Sequence, residues 1–304
     1  MSDPARRWAI ITPTYHLDYE QFNLMCESMD HFVEGNWHHY VVVNKSDYQM
    51  FSHFSGARRT VIENTKVLPK WLHYIGKLGR IRGGNFFFSW RTGPFFGWHI
   101  QQLVKLSMAY FVEEDAMLVV DSDIFFMRRF KLDKMIENGR LPFVRMGIDH
   151  NLRNTSQFSF IDHSKKTLGL PTTVPSFDYV NNVVVWDRKT TVEVCDFIGK
   201  RHGKHWIAAL SGLKTISEGM LYGLYVDHIL EDKNRFAFQT YNLTKTVHGD
   251  EAIYDEELEK FVSEYDDDVI AFGFQSSARF DNKILRAIYE KLAAMPDQTG
   301  HRFG

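Results

Sequence analysis

The first third of the chain alternates between short apolar runs and stretches with helical spacing of apolar residues. β-Branched apolar runs of about five residues are typical of buried strands, and apolar side chains three and four residues apart are typical of amphipathic helices. The pattern predicts strands at 8–12, 39–43 and 59–63 and helices at 18–32 and 48–54. This β-α-β-α-β order predicts an α/β fold that begins as a doubly wound sheet.

The rest of the chain continues the same alternation after one different segment. Residues 64–97 hold glycines, basic residues and a block of aromatic residues, which indicates a long functional loop or an excursion across the sheet. Further strands are predicted at 116–120, 141–145, 177–186, 236–243 and 269–274, and helices at 97–113, 192–207, 217–229 and 283–295. Because we find no repeat, low-complexity segment or linker, we predict a single domain over residues 1–304.

The strand at 116–120 leads directly into Asp121-Ser122-Asp123, and three more apolar residues follow. Ionised carboxylates beside a buried strand must be paired or bound to a metal. Asp121 and Asp123 are alternate residues, so they share one face if the strand stays regular. A divalent cation that prefers oxygen ligands would satisfy both and could also hold phosphate oxygens. The alternative is a turn in which the aspartates bond to the local backbone.

The overall composition excludes some classes of protein. The formal net charge is -2 over 304 residues, which argues against a general nucleic-acid binder. Cys26 and Cys195 are the only cysteines, so we expect neither a disulfide framework nor a zinc site. Because residues 1–7 contain no apolar run, we expect no signal peptide, and no apolar run of the sequence is long enough to span a bilayer. We therefore expect a cytoplasmic protein, and a peripheral contact at the inner face of the membrane stays open.

Three motifs together resemble those of GT-A glycosyltransferases. They are Thr12-Pro-Thr-Tyr15 after the first strand, Gln101-Gln-x-x-Lys105 on a helix, and Asp121-Ser-Asp123 after an apolar strand. The nearest likeness is to bacterial transferases of surface polysaccharides, with a looser one to the glycogenin and lipopolysaccharide galactosyltransferase group. The resemblance follows the element order over about residues 8–250.

This resemblance implies a GT-A fold, which is a Rossmann-like, doubly wound mixed sheet flanked by helices. A nucleotide-binding half would cover about residues 8–126 and an acceptor-side half about 127–304. The implied activity is metal-dependent transfer of a hexose from a UDP- or GDP-sugar to a saccharide or lipid-linked acceptor, with Mn²⁺ or Mg²⁺ as the cation.

The resemblance also implies roles on the donor side. Thr12, Thr14 and Tyr15 would hold the nucleobase and ribose, although strand-end capping would also explain the threonines. Lys105 would touch the phosphates or the sugar, with Gln102 near the sugar hydroxyls, and a solvated helix face is the alternative. Asn182 would contact the sugar or the acceptor, or else form a turn.

Catalytic and metal roles are implied for four residues. Asp121 and Asp123 would bind the cation, with Asp123 also counted as catalytic. Glu218 at a helix start would contact the acceptor or act as the base of an inverting enzyme, unless it only complements the helix dipole. His248 would be the third metal ligand, with Gln275 as a weaker substitute, although the longer motif that surrounds this histidine in the glycogenin group is absent.

Residues 77–98 mix basic side chains with phenylalanines and tryptophans. Aromatic rings stack on sugars and basic groups engage phosphate, so an anionic lipid-linked acceptor would suit both. A core-filling insertion is the alternative.

Two other functions remain open from the sequence. A sugar-nucleotide nucleotidyltransferase would be expected to have a glycine-rich loop after the first strand, but the loop from Thr12 to His16 contains no glycine. A non-catalytic sugar-binding protein could keep the same fold. The donor, the acceptor and the stereochemical outcome are not determined by the sequence.

Overall fold

The computed structural model describes residues 6–76, 86–148, 156–247, 268–274, 282–294 and 302–304. The α-helices are α1 Tyr19–Phe32, α2 Tyr48–Phe51, α3 Asn64–Val67, α4 Gly97–Ser107, α5 Ser156–Leu168, α6 Arg188–His202, α7 Trp206–Leu210, α8 Glu218–His228 and α9 Asn282–Ala294. The strands are β1 Trp8–Thr14, β2 Val33–Glu34, β3 Trp37–Val43, β4 Arg59–Glu63, β5 His73–Gly76, β6 Phe86–Ser89, β7 Thr92–Phe95, β8 Ala116–Val120, β9 Ile124–Phe126, β10 Phe130–Lys131, β11 Leu141–Val144, β12 Val183–Asp187, β13 Phe236–Gln239, β14 Thr244–Val247 and β15 Ala271–Phe274.

A five-stranded sheet with the order β12-β8-β1-β3-β4 forms the centre of the molecule. β1 runs parallel to both β3 and β8, whereas β12 runs antiparallel to β8 at the edge. After β1 the chain moves outward to β3 and β4, and it then returns to β8 on the other side of β1. The predicted doubly wound mixed α/β sheet is therefore confirmed, and its strand order reverses between β1 and β8.

The two central strands are mainly apolar because helices cover both faces of the sheet. Every residue of β1 and β8 is buried. β1 also extends two residues beyond its predicted end, through Pro13 to Thr14. Pairing with β8 stops at Ile11, so the missing N–H of Pro13 costs no bond on that side.

Several predicted boundaries were wrong because local capping determines them. The helix predicted at 192–207 begins at Arg188, where Asp187 accepts a hydrogen bond from the Thr190 N–H at 2.8 Å. It ends at His202, because Gly203 adopts a left-handed conformation, and α7 follows as a separate helix. The strand predicted from residue 177 starts only at Val183.

The segment predicted as a loop at 64–97 contains a helix and a sheet of its own. After the single turn α3, the strands β5, β6 and β7 form a three-stranded antiparallel sheet, with residues 77–85 outside the described part. β7 ends at Phe95, and α4 starts two residues later at Gly97. A single residue, Phe96, therefore connects this sheet to the helix that carries Gln102 and Lys105.

Smaller sheets cover the end of the central sheet beyond β8. β9 pairs with β15, which pairs with β14, and β11 pairs with β13. One contiguous apolar core joins residues from Trp8 to Phe303. Among the helices that the structure describes, none combines the length and apolar character needed to cross a bilayer.

Candidate active site

The carboxyl ends of β1 and β8 meet where the strand order reverses. In open α/β sheets the two chains diverge at this point and leave a crevice for ligands. The loop after β1 brings Tyr15 and Asp18 to this edge, and the turn after β8 brings Asp121, Ser122 and Asp123. Because β12 is antiparallel, its amino end lies at the same edge and adds Asn182.

The Asp121-Ser122-Asp123 segment is the turn that connects the central sheet to the small sheet of β9. The register that pairs Val120 with Val183 continues into this turn, because the Asp121 N–H donates to the Asn182 carbonyl at 2.9 Å. Asn182 in turn donates through its side chain to the Thr246 hydroxyl at 3.4 Å. The two aspartates are thus held between paired strands on both sides.

Lys105 contacts this turn and forms ion pairs with two carboxylates. Its Nζ lies 2.6 Å from Asp121 Oδ1 and 2.8 Å from Glu218 Oε1, and only 7% of its side chain is exposed. Burial alone would lower the pKa of Lys105, but the Coulomb attraction and hydrogen bonds of both carboxylates outweigh it and raise the pKa above its ordinary value. Lys105 therefore stays charged, and it fixes the position of Asp121.

Glu218 is the first residue of α8 and is held from several sides. Ser217 caps the helix by accepting a hydrogen bond from the Met220 N–H at 3.2 Å. The Gln102 side-chain amide lies against the Glu218 carboxylate, and with its NH₂ group turned inward it donates to Oε1 at 3.1 Å. The Glu218 side chain is 12% exposed.

Two glycines let α8 approach the segment before β12. A Cβ at Gly219 would lie 2.7 Å from the Tyr179 carbonyl oxygen, and one at Gly223 would overlap the Tyr179 ring. The Tyr179 hydroxyl donates to Asp227 Oδ2 at 2.5 Å, so the ring is also anchored to α8 at its far end. This close packing positions the start of α8, and with it Glu218, next to Lys105.

Asp18 lies beside the same turn, and the sequence analysis assigned it no role beyond starting a helix. The Ser122 hydroxyl donates to Asp18 Oδ2 at 2.9 Å, which ties the loop after β1 to the turn after β8. Burial raises the pKa of Asp18 to about 6; Asp121 adds to the rise, while the hydrogen bond from Ser122 opposes it. A buried aspartate that faces a second carboxylate indicates a site with excess negative charge.

Tyr15 lies beside this acidic group. Burial raises the pKa of its hydroxyl, and Asp18 and Asp123 raise it further. The ring is half-buried and meets His16 edge-on, with 5.6 Å between the ring centroids. Tyr15 therefore stands at the edge of the site, where the sequence placed it.

The two threonines of β1 lie in different surroundings. Thr12 is fully buried, and its hydroxyl contacts the His39 ring at 3.0 Å and the Met25 sulfur at 3.9 Å. It belongs to the core under α1 rather than to the crevice. Thr14 at the end of β1 is 4% exposed, and its hydroxyl has no hydrogen-bond partner within the described part of the chain.

A cleft of about 660 Å³ opens in front of the two aspartates. Of the predicted residues, Asp121, Asp123 and Asn182 line it, whereas Lys105 and Glu218 stand behind Asp121. The remaining lining residues come from the segments before β12, around β14 and before β15, and they are Asp178, Val180, Asn242, Thr244, Lys245, Thr246 and Val269. Sequence reasoning missed these because they follow no motif.

Asp121 and Asp123 suit a cation that shares its coordination with a ligand. Mg²⁺ in particular is commonly held by one or two carboxylates together with substrate phosphates. A third of the Asp121 side chain is exposed, so it reaches the cleft despite its bond to Lys105. Within the described ranges no three His, Cys, Asp or Glu side chains converge into a metal site. His248 and Gln275, the predicted additional ligands, lie outside the described residues.

We predict that Lys105→Met lowers the free energy of unfolding by about 3 kcal/mol, because it leaves the buried Glu218 carboxylate and the partly exposed Asp121 carboxylate around an apolar group. Adding Glu218→Gln should restore part of this loss by removing one of the charges. Lys189→Met is the control, since Lys189 is 73% exposed and pairs with Glu193 on the surface at 3.9 Å. Urea unfolding measures all three. Equal stability of Lys105→Met and Lys189→Met would show that the Lys105 bridge is not formed.

A second prediction concerns pH, measured with a chelator present. The pKa of Asp18 is raised, so its ionisation disfavours the folded state; the penalty is absent below about pH 4 and complete above about pH 6. Asp18→Asn should therefore gain up to about 3 kcal/mol of stability relative to the unmodified protein between pH 4 and pH 7. Asp115→Asn, at a side chain that is 79% exposed, is the control. A stability difference that does not change with pH would contradict the assignment.

Two solved structures are similar to this chain over nearly its whole length. One is the galactosyltransferase LgtC in complex with donor and acceptor sugar analogs, with 9% identity and a TM-score of 0.46. The other is an active-site mutant of LgtC, with 10% identity and a TM-score of 0.47. Each comparison covers 95% of this chain and 98% of that one. Both are galactosyltransferase structures, and likenesses this distant assign no activity or residue role here.

A search of curated proteins gave no match. A family model described as "Family of unknown function (DUF6492)" matches residues 9–278, which is most of the chain. The chain therefore belongs to this family.

Proposed function

We propose that this protein is a metal-dependent glycosyltransferase. It moves a sugar from a nucleotide-sugar donor to a saccharide or lipid-linked acceptor, in the synthesis of bacterial surface polysaccharide. The observation that carries the proposal is the pair Asp121 and Asp123, which lines a cleft at the point where the strand order of a doubly wound sheet reverses. This is where such sheets bind nucleotides.

The charge of the site supports an anionic ligand only together with a cation. Asp121, Asp123 and Asp178 line the cleft, and Asp121 lies close enough to Asp18 to raise the pKa of Asp18 beyond the effect of burial. A diphosphate would be repelled by these carboxylates. A divalent cation on Asp121 and Asp123 would reverse the local charge and, when bound, would stabilise the charge that forms on the departing nucleoside diphosphate.

Tyr15 supplies the surface for the base. It stands at the carboxyl end of β1, beside Asp18 and Asp123, and part of its ring is exposed. The flat ring can stack on a nucleobase while the phosphates reach the aspartates. Asn182 at the amino end of β12 offers an amide to the donor sugar or the acceptor, and Gly273 leaves room for it, because a Cβ there would lie 2.6 Å from Asn182 Nδ2.

Lys105 and Glu218 act on the ligand through Asp121 in this geometry. The Lys105 ammonium group already pairs with two carboxylates, and the Gln102 amide contacts the Glu218 carboxylate. We therefore assign Gln102, Lys105 and Glu218 the task of holding Asp121 at the cleft. The sequence-based hypotheses of direct phosphate binding by Lys105 and base catalysis by Glu218 would require this bridge to open.

A nucleotidyltransferase is less well supported by the loop after β1. Sites of that kind are expected to use a glycine-rich loop and a helix amino terminus to hold phosphates through backbone N–H groups. Here the residue before α1 is Asp18, and its carboxylate accepts from Ser122. A carboxylate in this position repels phosphate.

The test is binding of nucleoside diphosphates in the presence of Mn²⁺, measured by the shift in thermal unfolding of the protein. UDP or GDP with Mn²⁺ should stabilise the protein by about 3 kcal/mol at a hundredfold excess over Kd, and chelation should abolish the effect. Asp123→Asn should lose this stabilisation. Asp115→Asn changes the same residue type just before the other end of β8 and should keep it.

Catalysis is then separated from binding by turnover. Release of nucleoside diphosphate from UDP- or GDP-hexoses, with Mn²⁺ and an acceptor, is expected from the unmodified protein and from Asp115→Asn. Metal-dependent binding without turnover across donors and acceptors would indicate a sugar-nucleotide binding protein. Unchanged nucleotide binding by Asp123→Asn would refute the assignment of the cation to this pair.

A further inference from the structure

The three-stranded sheet of β5, β6 and β7 is apolar on both faces, but only one face is covered. On the inner face Phe87 is fully buried, Phe95 is 2% exposed, and the Tyr74 hydroxyl donates to Ser46 at 2.9 Å. Strand alternation places the other side chains on the opposite side. We call this side the aromatic face; it consists of Ile75, Phe86, Phe88, Trp90, Pro94 and Phe96.

The aromatic face is exposed to an unusual degree. Trp90, in the turn between β6 and β7, is 92% exposed, Ile75 is 48% exposed and Phe96 is 45% exposed. Ring contacts join four of its aromatic residues in two pairs, with centroid distances of 5.2 Å between Phe88 and Trp90 and 5.6 Å between Phe86 and Phe96. Contiguous exposed apolar patches of this kind mark sites of interaction with proteins, ligands or membranes.

The turn that contains Trp90 is anchored to the rest of the protein by contacts of the residues that follow Trp90. The Gly93 N–H donates to the Ser211 hydroxyl at 2.7 Å, and the Arg91 guanidinium lies over the Trp71 ring at 5.9 Å from its centroid. These contacts come from the body of the protein. The position of the turn therefore keeps the Trp90 side chain exposed to solvent.

The sequence around this face carries charge of one sign only. Residues 64–112 contain no Asp or Glu, although the chain as a whole has a net charge of -2. Apart from Lys105, which is buried between two carboxylates in the site, the basic residues of this stretch are Lys66, Lys70, Lys77, Arg80, Arg82 and Arg91. An apolar face within a purely basic stretch is complementary to a surface that is anionic outside and apolar beneath.

We propose that the aromatic face docks this protein on an anionic bilayer, with Trp90 at the level of the lipid head groups. Tryptophan is enriched at that level because its ring is apolar with one polar N–H group. A saccharide would need several polar groups to pair its hydroxyls, and His73 is the one polar side chain that β5 and β6 place on this face. A second copy would bring two copies of the same basic stretch together, which disfavours self-association.

Docking here would bring the proposed site close to the membrane. α4 begins two residues after β7, and Lys105 lies seven residues after Trp98 on that helix, which corresponds to roughly 10 Å along its axis. A lipid-linked acceptor would then meet the cleft from the bilayer. The docking proposal does not depend on the proposed activity, because it is tested without nucleotide or sugar.

The experiment is sedimentation of the full chain with vesicles, either of phosphatidylcholine alone or of an equal mixture with phosphatidylglycerol. The unmodified protein should bind the mixed vesicles, and bind phosphatidylcholine at least roughly tenfold more weakly; high salt should weaken binding to the mixed vesicles. Trp90→Ser should weaken binding to the mixed vesicles roughly tenfold, because it removes the most exposed apolar side chain.

A matched pair of variants controls for a general loss of surface hydrophobicity. Ile75→Ser changes the aromatic face, and Ile284→Ser changes an isoleucine of nearly equal exposure on α9, with exposures of 48% and 49%. Only Ile75→Ser should weaken binding. Failure to bind mixed vesicles, or equal binding by Trp90→Ser, would overturn the proposal. Quenching of Trp90 by soluble oligosaccharides, or a dimer that Trp90→Ser abolishes, would overturn it in favour of a saccharide or a second copy.

Discussion

The site depends on the ion pairs that the buried ammonium group of Lys105 makes with Asp121 and Glu218. Lys105 joins α4, the end of β8 and the start of α8, and its partner Glu218 lies 113 residues away in the chain. A buried charge is tolerated only when its partners are well placed, so these three elements constrain one another. Asp121 consequently reaches the cleft in one orientation, supported by elements of the rigid scaffold rather than by a loop.

The same bridge explains why the front of the site remains acidic. Lys105 compensates charge behind Asp121, whereas Asp123 lines the cleft and acts together with the buried Asp18 on Tyr15. The raised pKa values of Asp18 and Tyr15 have burial as their first cause and neighbouring carboxylates as the next. Such a site is organised to receive positive charge, and a cation would relieve the repulsion that the fold imposes on these groups.

The central sheet could be predicted because its information is local. β1 and β8 are short, mainly apolar and wholly buried, and the turn after β8 carries its two aspartates in sequence. The pairing of Lys105 with Glu218 could not be predicted, since no local pattern connects α4 to α8. Asp18 was interpreted only as part of a helix start, because its contact with Ser122 exists only after β1 and β8 are neighbours. Strands of four residues such as β5 and β6 are too short to show a period, so their aromatic residues appeared as a loop.

The position of a bound cation decides whether Asp121 and Asp123 are the donor clamp. Crystals grown with Mn²⁺ and a nucleoside diphosphate, measured at the manganese absorption edge, locate the ion by its anomalous signal. We expect a peak in contact with both carboxylates and with phosphate oxygens of the nucleotide. A nucleotide bound at the end of β1 with no ion on Asp121 or Asp123, or an ion bound elsewhere, would contradict the assignment.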